Sequence, residues 1–146
     1  MAYTLQVFRK RDNKQFHDQR GYLIYDKKKQ IVYDSFCIPR AVCVVAEGKA
    51  GNKMTLTSQS KGIAESQYMA KNDATSVFSI TFDLTGDTLR YVQKTQLHVY
   101  GKSFTHVESS ALSKASSQRS LRWALAHTRA RRCISNTLRP SLRTTR

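Results

Sequence analysis

Val77-Phe78-Ser79-Ile80-Thr81-Phe82-Asp83-Leu84 alternates without a break: Phe78, Ile80, Phe82 and Leu84 fall on one side of an extended chain, and Ser79, Thr81 and Asp83 on the other. A period of two in β-branched and aromatic residues marks a strand with one buried face. Working outward, turn signals recur about every ten residues: Asp12-Asn13-Lys14, Lys27-Lys28-Lys29, Pro39-Arg40, Gly51-Asn52, Thr85-Gly86-Asp87 and Gly101-Lys102. Between them, Tyr3 to Arg9, Gln15 to Tyr25, Gln30 to Cys37, Ala41 to Gly48, Lys53 to Ser58, Val77 to Leu84, Thr88 to Tyr100 and Ser103 to Leu112 read as strands.

The connections are short, so neighbouring strands are expected to be antiparallel. A meander of this length must protect its edges. Closure into an up-and-down barrel does so completely, and a two-sheet sandwich is the alternative. The expected fold is therefore all-β, an antiparallel barrel of the lipocalin or fatty-acid-binding type. Lys61 to Ser76 breaks the rhythm, with Ile63, Gln67 and Met69 near helical spacing, and reads as one short helix or lid that covers a mouth or plugs one end.

Charge divides the chain. Residues 1–114 carry 17 lysines and arginines against all 10 acidic residues, whereas 115–146 carry eight arginines, no lysine and no acid. A boundary near Lys114 follows, separating one domain from an Arg-rich tail expected to be disordered or marginally helical. The formal net charge of +15 leans on that tail and is not read as a sign of a nucleic-acid partner. Lys27, Lys28 and Lys29 fit a solvated hairpin tip. No signal-peptide pattern opens the chain, and its longest apolar run, Phe36 to Ala46, is broken by Pro39 and Arg40. No membrane span is expected, and a cytoplasmic or nuclear location fits.

Cys37, Cys43 and Cys133 have no metal-type spacing, and any disulfide scheme leaves one unpaired. Cys37 and Cys43 read best as small buried hydrophobes in a reducing compartment. Nucleophile elbows, zincin helices and phosphate-cradling glycine loops are missing. Glu47, Glu65 and Glu108 read as isolated solvated charges. His98, between Leu97 and Val99, is expected on the outer wall if their side faces inward.

Four stretches in register, Phe16-His17-Asp18-Gln19-Arg20-Gly21-Tyr22-Leu23-Ile24-Tyr25, Ile38-Pro39-Arg40-Ala41-Val42, Gly62-Ile63, and Tyr100-Gly101-Lys102-Ser103-Phe104-Thr105-His106-Val107-Glu108 onward to Leu112, resemble the nitrobindin-like barrels. That family has a fatty-acid-binding-protein-like barrel, also found fused to THAP-type zinc fingers, and its best-known members bind heme b. The resemblance implies His106 as the proximal iron ligand, with Phe104 two residues before it on the same side of the last strand. It also implies heme contacts from His17, Tyr22 and Pro39, although His17 alternatively bonds a neighbouring strand. A bound ferric heme would imply nitric oxide binding and isomerisation of peroxynitrite to nitrate.

Relatives begin with a Gly-Thr-Trp-x-Gly-x-Gly strand that has no counterpart before Tyr3. A gap or exposed edge is the expected consequence, and such an edge invites pairing of two copies as an edge-strand dimer. Three other functions stay open: a carrier of another apolar ligand such as a lipid, a nucleic-acid binder acting through the tail, and a truncated gene product without function. His127 lies in the tail and has no counterpart in the family.

Overall fold

A computed structural model of the chain describes residues 1–114, 123–125 and 134–138. Eight strands form an antiparallel meander: β1 (Ala2–Arg9), β2 (Gln15–Asp26), β3 (Ile31–Ile38), β4 (Val42–Lys49), β5 (Lys53–Glu65), β6 (Asp73–Thr85), β7 (Thr88–Val99) and β8 (Lys102–Lys114). Each pairs with the next, and the sheet curls into a half-barrel of the up-and-down type. Between β5 and β6 lies one helical turn and a half, α1 (Gln67–Asn72).

The tail contributes two described pieces. β9 (Trp123–Leu125) runs antiparallel to the outer edge of β8, and β10 (Ile134–Leu138) runs antiparallel to the free edge of β1. The remaining tail residues, His127 among them, lie outside the described residues, so the expectation of a disordered or helical tail falls largely there.

Turn chemistry sets the registers. Val99 pairs with Lys102 across the two-residue turn Tyr100-Gly101, and both turn residues have positive φ, 45° and 81°. That is the mirror-image turn whose twist matches a hairpin, and it explains the glycine at its second position. Ile38 pairs with Val42 across Pro39-Arg40-Ala41, where Ala41 sits at φ 60°. Three-residue hairpins place a left-handed residue at this third position, which an alanine occupies under strain. Ala41→Gly is therefore expected to stabilise the fold by about 0.5–1 kcal/mol, read as a raised denaturant midpoint with an unchanged slope. A lowered midpoint would contradict it.

Gly21 answers a different need. A Cβ there would stand 2.5 Å from the Ser35 carbonyl oxygen and 2.6 Å from the Phe36 Cβ, so only glycine lets β2 and β3 approach this closely.

The concave face collects the buried residues. Leu56, Ile80, Phe82, Tyr91 and Leu112 fill one end, and Phe36, Val42, Val44, Phe78 and Met69 form the floor towards the other. Phe78 and Phe36 meet edge to face with ring centroids 5.1 Å apart. The Phe78, Ile80 and Phe82 side of β6 is the core side, as the alternation predicts. Leu84, at the strand's end, is exposed.

Strands β5 and β6 pair only between Lys53–Thr57 and Ser79–Asp83. Beyond that, side chains take the place of ladder bonds: Ser58 Oγ accepts from the Phe78 amide at 3.0 Å and Glu65 Oε1 from the Thr75 amide at 2.7 Å. The helix α1 spans this split. Ser66 caps it, accepting from the Met69 amide at 3.2 Å, and Met69 is its one buried side chain.

Cys37 and Cys43 face each other directly across β3 and β4 and are joined in a disulfide. This corrects the reading of both as buried free thiols: alternation puts Ile38 and Val42 on the concave side, which leaves the cysteines on the convex surface, where Cys37 is exposed.

Candidate functional site

The half-barrel encloses a cavity of about 280 Å³. Its apolar wall comes from the even-numbered residues of β3 and β4, Phe36, Ile38, Val42 and Val44, with Phe78 from β6 and Leu97 from β7. Its polar wall comes from β2, β7 and β8: His17, Gln19, Gln93, Thr95, His106 and Glu108. Met69 of α1 also lines it, at the end where β6 begins. There Arg40 from the β3–β4 turn reaches across to the buried carboxylate of Asp73 at the start of β6. The side towards Phe16 and Phe104 is open, and these two rings are 61% and 55% exposed.

His17 and His106 thus share one cavity, although 88 residues of chain lie between them. Their rings are in different states of engagement. His17 Nε2 lies 3.2 Å from Gln19 Oε1. His106, paired with Thr95 of β7 and exposed at the open rim, has only the Phe104 ring beside it, 6.4 Å between centroids, and no hydrogen bond among the described residues. An imidazole on a rigid strand with both nitrogens free, next to an apolar wall, is a site able to bind a metal or a proton-donating group.

The other residues singled out in the sequence are placed as follows. Phe104 shares the concave face of β8 with His106. Pro39 lines a shallow groove beside the cavity, with Phe16, His17 and Arg40. Tyr22 does not reach the cavity: Gln19 and Gly21 occupy the buried register of β2, which turns Tyr22 to the convex surface, 60% exposed. His98 is on the outer wall, exposed, opposite Ala74 and Ser103.

Residues 1–114 match the model of the THAP4-like, heme-binding beta-barrel domain. The chain belongs to that family. No curated protein matches it. For a heme-binding family the donor set is apt: an apolar wall suits a flat macrocycle, the open rim admits a group larger than the cavity, and His106 offers an uncommitted imidazole nitrogen. Among the described residues, no helix is long and apolar enough to cross a membrane.

Two glutamates read as solvated charges in the sequence are engaged in the barrel, and one buried acid was not singled out at all. Glu108 is not a solvated charge: it lines the cavity and its Oε1 accepts the Tyr91 hydroxyl at 3.0 Å. Glu65 is likewise engaged, at the Thr75 amide. Asp34 lies 1% exposed, bonded to the Tyr3 hydroxyl at 2.7 Å, and Tyr3 in turn accepts from Gln19 Nε2 at 2.6 Å. The signal was available, since Asp34 has the same parity as Phe36 in a strand with one buried face.

Burial pushes the Asp34 carboxyl up to about 6 from 3.8, against the opposing Tyr3 hydrogen bond. Burial and the nearby Asp34 carboxylate also raise the Tyr3 phenol. The folded protein therefore holds the Asp34 proton more tightly than the unfolded chain. Stability is expected to fall as pH rises from about 4 to about 6 and to level off above, a loss on the order of 3 kcal/mol. Asp34→Asn, neutral at every pH and able to accept the Tyr3 hydroxyl, should recover most of that loss at pH 8 and remove the slope. Denaturant midpoints of both proteins at pH 5 and pH 8 check this; a variant less stable than wild type at pH 8 would count against it.

Proposed function

We propose that the chain binds heme b on the concave face of its half-barrel, with His106 as the proximal iron ligand. The observation that carries this reading is the free His106 imidazole at the rim of a cavity with an apolar wall, in a chain of a heme-binding family. Phe104 lies on the same strand face, its ring centroid 6.4 Å from that of His106. Phe36, Val42, Val44 and Phe78 keep water from the inner edge of the pocket. Arg40, one of the lining residues, offers a guanidinium for a carboxylate side arm, in competition with Asp73. His17, already bonded to Gln19, is left as a polar wall residue and not a second ligand.

A bound ferric heme would supply nitric oxide binding and isomerisation of peroxynitrite to nitrate, with His106 as the residue that holds it. The protein's share is access, polarity and axial ligation. Titration of the purified full chain with hemin tests the binding: the expected result is a saturable, one-to-one shift of the Soret band. A spectrum indistinguishable from free hemin would remove the proposal, and co-purification of a fatty acid in stoichiometric amount would favour a lipid carrier instead.

A further inference from the structure

We propose that Asp34 is a positioning residue for His17: acting through Tyr3 and Gln19, it fixes the His17 imidazole as the tautomer protonated at Nε2. The four groups form one continuous chain from the interior to the cavity wall, Asp34 Oδ1 to Tyr3 Oη at 2.7 Å, Tyr3 Oη to Gln19 Nε2 at 2.6 Å, and Gln19 Oε1 to His17 Nε2 at 3.2 Å. Its inner end is fully enclosed, with Asp34 and Gln19 1% and 3% exposed.

The direction of the chain follows from which groups can donate. An ionised carboxylate only accepts, so the Tyr3 hydroxyl must give its proton to Asp34. The Tyr3 oxygen is then left with lone pairs, and the Gln19 amide nitrogen donates to it. That turns the Gln19 carbonyl oxygen towards His17, and an oxygen only accepts, so His17 Nε2 must carry the hydrogen. A neutral ring so fixed holds its lone pair on Nδ1 alone, and any ligand group that meets that nitrogen must donate.

Among the described residues, the titratable groups around this chain are Tyr91 on β7 and Glu108 on β8, bonded to each other at 3.0 Å, with His106, Arg40 and Asp73 lining the same cavity as His17. Tyr91, the proton donor in its bond to Glu108, is neutral at the pH of the test. The residues opposite Asp34 on its own neighbours are Leu23 on β2 and Ala46 on β4, neither of which carries a charge. Above pH 7 the ionised form of Asp34 predominates, which sets the condition for the test. His17 occupies this place in the cavity wall whichever ligand the cavity takes.

The full chain, labelled with ¹⁵N at histidine, is examined by long-range ¹H–¹⁵N correlation at pH 8 as wild type, Asp34→Asn and Tyr3→Phe, without hemin. In the wild type, the Nε2–H form of His17 should exceed the other by roughly tenfold or more, the ratio that a charge-assisted bond maintains. Asparagine can donate as well as accept, so Asp34→Asn frees the chain to reverse, and the excess should drop several-fold. Tyr3→Phe cuts the chain and should do the same. The His98 and His106 signals should not move. Asp34→Asn decides the matter if Tyr3→Phe does not fold. A wild-type ring protonated at Nδ1, or an unchanged His17 ratio in Asp34→Asn, overturns the proposal.

Discussion

Replacing Phe78 by alanine should lower the free energy of unfolding by about 4 kcal/mol, within the roughly 3–5 kcal/mol range for buried aromatic truncations. Phe78 is 1% exposed, meets Phe36 edge to face and forms part of the cavity floor. The variant loses the transfer energy of a whole ring and the aromatic contact, and it gains a void that joins the existing cavity. Because β6 is anchored on β7 along its length, collapse around that void is limited. Denaturant unfolding checks this. A loss below about 1.5 kcal/mol would mean that the floor repacks freely and that the apolar wall is not rigid.

His106→Ala should weaken hemin binding by more than the roughly 10–100-fold that loss of an outer-shell partner costs at a metal site, because it removes the donor itself. Its stability should barely change, since the ring is exposed and makes no hydrogen bond among the described residues. His17→Ala is the matched control. It removes an imidazole from the same cavity, one that is bonded to Gln19, and should cost hemin affinity about tenfold at most. A larger loss in His17→Ala than in His106→Ala would exchange the two roles.

The elements of the fold were legible because the code that specifies them is local. The alternation in Val77–Leu84 and the spacing of turn residues give all eight meander strands and place the helix between Lys61 and Ser76. The strands extend further than the apolar runs at β5 and β6, where Ser58 and Glu65 side chains hold the split sheet together through bonds that no periodicity reveals. His17 and His106 meet in one cavity because the meander curls, and curvature is a property of the whole sheet.

Tyr22 shows the limit of carrying a residue over from a matching stretch without its parity: one step from Gly21, it belongs to the opposite face. Cys37 and Cys43 show the same limit, since their register across the Pro39-Arg40-Ala41 turn, more than their apolar surroundings, makes them partners. The buried chain from Asp34 to His17 was hidden for another reason. It joins β1, β2 and β3, and Tyr3, Gln19 and Asp34 each look ordinary until the strands are in register.

Resonance Raman spectroscopy of the hemin-loaded, reduced protein reads the bond on which the whole account turns. An iron–imidazole stretch is expected in wild type and in His17→Ala, absent from His106→Ala, and restored there by free imidazole. If the stretch persists in His106→Ala without added imidazole, the iron is held elsewhere and the assignment of the site is wrong.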